Sequence, residues 1–192
     1  LPHVLKRAVA NLRNVDESPA RRVAKGLGIE FPKKSKPVRE PVDLPASPAL
    51  SIHRNAKHTV EGRKIGILIN EGSDKGKIER LKKMIKEHNG VPAVIAPRAH
   101  GIKLSDGSKV DADGILAGMP SVLFDAVAVV LSNKGTDQLL KESAAVQWVQ
   151  DAYAHLKAIA YTKESERLLK KGGVDTNQKG ISTDFGSEFI KD

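Results

Sequence analysis

Lys64-Ile65-Gly66-Ile67-Leu68-Ile69-Asn70 is a short apolar run that passes at once into Glu71-Gly72-Ser73-Asp74. Without polar alternation, such a run reads as a strand covered on both faces. The four residues after it read as a turn, with Ser73 or Asp74 as the N-cap of a helix. That helix runs to about Asn89, with Ile78, Leu81, Met84 and Ile85 on one face and lysines on the other. Gly90 ends it, and Val91–Ala96 is the next strand. Strand, helix and strand in so few residues make a βαβ unit with a right-handed crossover.

The pattern continues downstream. Lys103–Asp111 holds Ser105-Asp106-Gly107-Ser108 between short flanks, a hairpin signal. Phe124–Leu131 is the most apolar stretch and is expected to be a central strand. Thr136–Lys157 is helical with a break near Ser143, and Ala158–Tyr161 is another strand. Glu164–Lys171 is a short helix closed by Gly172 and Gly173, and a last small element lies near Phe185–Ile190. Alternating strands and helices predict an α/β domain with a doubly wound, mainly parallel sheet over residues 64–192.

Upstream the texture differs. Residues 1–30 read as helical, with Val4, Leu5, Ala8, Val9 and Leu12 at helical spacing. A second helix is expected over Ala20–Gly26, with Ser18 as N-cap and Pro19 at the first helical position. Residues 31–63 carry Pro32, Pro37, Pro41, Pro45 and Pro48 among lysines and arginines, the composition of an extended, semi-rigid linker.

Composition narrows the function classes. There is no cysteine, so disulfides, thiolate metal sites and cysteine nucleophiles are excluded. No stretch approaches the ~20 apolar residues of a membrane span, and no membrane partner is expected. His3, His53, His58, His88, His100 and His155 show no tight metal spacing. Residues 1–63 hold 13 Lys and Arg against 6 Asp and Glu; residues 64–192 hold 19 against 17. The basic excess thus sits in the N-terminal third. It suits an anionic surface, including one on a larger parent protein. With 4% aromatic residues there is no stacking platform for nucleic acid. Leu1 in place of Met suggests a processing boundary.

In a doubly wound fold, ligands sit beyond the carboxyl ends of the strands. Glu71 after the first strand and Thr162 after Ala158–Tyr161 are therefore the crevice candidates. Each has a plain alternative, Glu71 as a capping or solvated acid and Thr162 as a helix cap. Lys82, Lys83 and Lys86 read as a solvated helix face. Gly72–Gly76 lacks the spacing of a nucleotide-binding loop.

Lys64–Gly72, Phe124–Val130 and Ala158–Thr162 resemble the PfpI and class I glutamine amidotransferase-like superfamily, whose fold is flavodoxin-like. The resemblance puts Thr162 where active members carry a nucleophilic cysteine, and Glu71 at or near their supporting acid. A threonine hydroxyl needs a strong base to act as a nucleophile, and His155 lies seven residues upstream. Asn11–Glu17, Ala20–Gly28 and Ser47–Ser51 resemble the end of the helical region and the linker of large-subunit haem catalases. In those proteins a PfpI-like C-terminal domain without the cysteine follows.

The resemblance implies a non-catalytic domain whose partners are the remainder of the catalase subunit, its tetramer and unfolded client proteins held without ATP. The competing reading is a divergent hydrolase or amidotransferase working through Glu71 and Thr162. Haem is implied for the parent and none for this stretch. The family's haem-ligand tyrosine follows an arginine by four residues, whereas Tyr153 and Tyr161 follow Val149 and Lys157.

Overall fold

The computed structural model describes residues 1–40, 42–56, 59–186 and 189. The chain divides into two compact units, Leu1–Ala56 and Lys57–Asp192.

In the first unit, α1 (Pro2–Leu12) and α2 (Glu17–Gly26) pair around Val9, Ala20 and Ala24. The N-cap of α2 is Asp16, whose carboxylate accepts from the Ser18 N–H at 2.7 Å; it is not the expected Ser18. Pro19 consequently sits at the third helical position. It is tolerated there because the first turn has no intrahelical acceptor for its missing N–H. Ile29 and Phe31 pack on the helix pair. The Arg13 and Arg21 guanidinium groups both lie over the Phe31 ring, 4.3 and 4.5 Å from its centre. Ser35 then ties to α1, its N–H donating to Ala10 O at 3.2 Å and its hydroxyl lying 2.7 Å from Asn11 Oδ1. The first residues of the expected linker are thus fastened to the helices. A single 3-10 turn at Pro48–Leu50 and α3 (Ile52–Asn55) follow.

The second unit is a six-stranded sheet. In chain order come β1 (Lys64–Ile69), α4 (Lys75–Glu87) and β2 (Val91–Ala96). Next are the hairpin strands β3 (Ile102–Lys103) and β4 (Lys109–Val110), then β5 (Gly114–Ile115) and β6 (Ala126–Val130). They are followed by α5 (Asn133–Leu139), α6 (Ser143–Ala154), β7 (Ile159–Tyr161), α7 (Glu166–Lys171) and β8 (Ile181–Ser182). The sheet order is β5-β2-β1-β6-β7-β8, and every pairing in it is parallel. The doubly wound parallel sheet expected from the sequence is what forms. The hairpin stands apart as its own antiparallel pair.

Strand period explains the two cores. Ile65, Ile67 and Ile69 face Ile78, Leu81 and Ile85 of α4. Leu68 faces the other way, with Val127 and Val129, toward Trp148 and Val149 of α6 and Leu168 of α7. Gly66 shares that second face. A Cβ there would lie 2.7 Å from the Phe124 ring, so the ring takes the space a side chain would fill.

Side chains decide which of the two expected caps is used. Asp74 caps α4, accepting from the Lys77 N–H at 2.9 Å, while Ser73 is buried and accepts from the Asn70 N–H. At the far end of α4 the left-handed residue is Asn89 (φ 59°), not Gly90. Gly90 is needed because a Cβ there would meet Ile85 at 2.8 Å. Ser132 starts α5 three residues earlier than expected. Half of the element expected near Phe185–Ile190 lies outside the described residues; Phe189 is buried.

Asp125 fixes the start of β1. Its carboxylate accepts from the Lys64 N–H at 2.8 Å and pairs with Arg63 at 3.1 Å. Burial pushes its carboxyl up, but the Lys64 N–H and the Arg63 guanidinium outweigh that and hold it below the usual carboxylate range. A depressed folded pKa adds stability above the unfolded value of about 3.9 and loses it as pH falls through the folded value. Asp125→Asn is therefore expected to lower stability by about 0.5–1 kcal/mol at neutral pH, discounted for solvent screening. Urea midpoints of the two proteins should converge as pH falls through the folded value.

Candidate functional site

The carboxyl ends of β1, β2, β6 and β7 bring four loops together. Asn70–Asp74 follows β1, Pro97–Gly101 follows β2, Leu131–Ser132 follows β6 and Thr162–Ser165 follows β7. The strand order reverses between β1 and β6, the position where ligands bind in such sheets.

That position is filled by the chain's own hydrogen bonds. The Ser132 hydroxyl donates to Glu71 O at 2.7 Å and accepts from the Gly135 N–H at 2.9 Å. The Asn70 amide donates to Gln138 Oε1 at 2.9 Å. Gly72 turns with φ 76°, and a Cβ on it would lie 3.0 Å from the Ser132 hydroxyl. The backbone therefore approaches that side chain only because residue 72 is glycine.

Glu71 lies on the rim of a crevice of about 270 Å³ whose walls include Pro97, Arg98, Gln138 and Glu142. Its carboxylate pairs with Arg98, which also donates to Gly101 O at 3.2 Å. The pair spans from β1 to β2, on the side away from β7. Thr162 is buried and does not line this crevice. Its hydroxyl donates to Leu131 O at 2.9 Å and lies 2.6 Å from the Ser165 hydroxyl, which itself reaches Val129 O at 3.1 Å. The Leu131 N–H is 3.2 Å from both hydroxyls. These partners are backbone groups and an alcohol, none a base able to take a proton. The structure thus turns the two candidates toward different partners, Glu71 to Arg98 and Thr162 to Leu131. His155 caps the C-terminus of α6, at the opposite end of the sheet from Thr162.

Sequence reading did not find Arg98, Ser132, Gln138 or Ser165. Ser132 alone carried a signal, as a serine closing an apolar run and capping a helix.

The two tyrosines stand in different settings. Tyr161 is packed in the core with Trp148. Tyr153 borders a crevice of about 250 Å³. Among the described residues, no three His, Asp or Glu side chains converge to hold a metal ion. Among the described residues, no helix is long and apolar enough to cross a membrane.

The family model for the C-terminal domain found in long catalases matches residues 61–192. Catalase C of Rhizobium meliloti is 37% identical over 175 residues, covering 90% of this chain and 25% of that protein. Catalase HPII of Mycobacterium avium is 33% identical over 187 residues, covering 96% of this chain and 26% of that protein. The chain therefore spans about a quarter of the length of the catalases it matches. The fold is similar to DJ-1beta of Drosophila melanogaster, with TM-score 0.54 and 17% identity over 59% of this chain and 61% of that one. A ThiJ/PfpI domain protein from Brachyspira murdochii gives TM-score 0.53 and 14% identity over 58% and 65%. At those identities the structural neighbours speak for the fold alone. The chain belongs to the family of C-terminal domains found in long catalases.

Proposed function

We propose that this chain is a non-catalytic domain of a haem catalase. It docks on the remainder of the subunit, steadies the tetramer and holds unfolded proteins without ATP. The observation that carries the reading is the unmatched apolar surface of residues 1–56. Among the described residues there, only Val9, Ala20 and Ala24 are buried, while Val15, Val38, Leu44, Leu50 and Ile52 are each more than 70% exposed. Exposed apolar side chains concentrated in one segment support an interaction site. Lysines and arginines interleave with it and keep it soluble. A hydrolase acting through Glu71 and Thr162 would need a reachable hydroxyl, and that of Thr162 is spent on Leu131 and Ser165.

The test is light scattering from a heat-unfolding client. Near-stoichiometric amounts of this chain are expected to suppress aggregation equally with and without ATP. The control is an equal mass of an inert basic protein, because crowding protects weakly and without regard to identity. Equal protection by that control would end the holding reading and leave only the docking role.

A further inference from the structure

The two faces of the sheet are covered unequally. Among the described residues of the second unit, α5, α6 and α7 all pack on the face of Val127, Val129, Ile159 and Tyr161. Helix α4 packs on the other face, where it joins β1 to β2. Beyond β1 in the sheet order lie β6 and β7. On the α4 face they carry Ala126, Ala128, Val130, Ala158 and Ala160. Such small side chains leave a shallow floor, yet Ala128, Val130 and Ala160 are wholly buried.

Two rings supply the cover. Phe185 and Phe189 are the aromatic side chains of this cluster, and Phe189 is buried. Their segment follows β8, whose Ser182 pairs with Ala160. The chain turns there on local bonds. The Asp184 N–H donates to the Ser182 hydroxyl and the Gly186 N–H to the Asp184 carboxylate, each at 2.9 Å. Among the described residues after Ser182, no hydrogen bond reaches α4, β6 or β7. Apolar contact is non-directional, so the floor accepts any segment that presents two rings at this spacing.

We propose that the floor over Ala128, Val130 and Ala160 is a peptide site for segments with two aromatic side chains four residues apart, kept closed by the chain's own Phe185 and Phe189. The assignment rests on the holding reading above: unfolded clients present such segments, whereas folded proteins bury theirs. The occupant is set by what the floor already holds. Strap and client compete, and a tethered strap acts at an effective concentration on the order of millimolar. Client affinity is therefore reduced by the small fraction of chains whose strap is lifted.

The probes are a fluorescein-labelled peptide of residues 183–192 and a version with both phenylalanines replaced by serine, followed by anisotropy with the full chain. Phe185→Ala with Phe189→Ala clears the floor in cis. That double variant is expected to bind the phenylalanine peptide at least about tenfold tighter than the wild type and to leave the serine peptide unbound. Trp148 packs on the opposite face, so its fluorescence reports whether each variant is folded. Should the double variant fail to fold, Phe185→Ala alone decides, because that ring is only partly buried; its gain should be about threefold. Leu50→Asn, in the first unit, should leave the peptide affinity of the double variant unchanged. Unchanged affinity in the folded strap variants, equal binding of the serine peptide, or loss of binding with Leu50→Asn each overturns the site. In the light-scattering assay the double variant should protect the client at a lower ratio than the wild type. Tighter peptide binding with no client protection by either protein would retire the holding reading and leave the site. Client protection with unchanged peptide affinity would retire the site and leave the holding reading.

Discussion

Trp148→Ala is expected to bring the second unit close to its unfolding threshold. Trp148 is the only tryptophan and is fully buried in α6. Its indole N–H donates to Met119 O at 3.0 Å, and its ring centre lies 6.3 Å from that of Phe124 at a 53° tilt. Phe124 in turn covers Gly66 in the central strand. Truncation removes the ring, leaves the Met119 carbonyl without its donor and opens the space beneath Phe124. Large-to-small changes of this kind cost about 3–5 kcal/mol, against a total stability of roughly 5–15 kcal/mol for a domain. Urea unfolding followed by far-ultraviolet circular dichroism reads the change without the lost fluorophore. Trp148→Phe keeps an aromatic partner for Phe124 and should cost distinctly less. Equal costs for the two variants would mean that ring packing is not what holds α6 to the sheet.

Thr162→Val should cost about 2 kcal/mol, because an isosteric methyl leaves the Leu131 carbonyl without its hydroxyl donor in a dry setting. Thr162→Ser should recover most of the loss. The measurement is again a denaturation midpoint, and the comparison separates two meanings of this residue. A hydroxyl that clasps β6 to the loop after β7 predicts a stability loss graded by hydroxyl content. A nucleophile predicts wild-type stability with loss of ester or amide hydrolysis.

The sheet was legible because its strongest signals were local. Lys64–Asn70 has the length and apolar continuity of a doubly covered strand, and β1 is that strand. Phe124–Leu131 was read as central, and β6 lies beside β1. The edge strands left no such trace. Gly114–Ile115 and Ile181–Ser182 are two residues each, and their neighbours' backbones supply the pairing. At the candidate site, position was legible and environment was not. Glu71 and Thr162 follow strands, as a sequence can show. The partners that decide their chemistry, Arg98 and Leu131, lie 27 and 31 residues away.

The central place of β1 has a consequence for synthesis. Its partner Val91 is 27 residues downstream of Lys64, but on the other side Ile65 meets Ala126, 61 residues later. At roughly 5–20 residues per second, a ribosome leaves one edge of this apolar strand bare for about 3–12 s. Nascent chains released within that interval present an unpaired parallel edge, the surface on which strands from separate molecules join. Premature termination between residues 70 and 125 should therefore yield insoluble fragments, and the steadiness of translation across that stretch bears directly on how much soluble protein accumulates.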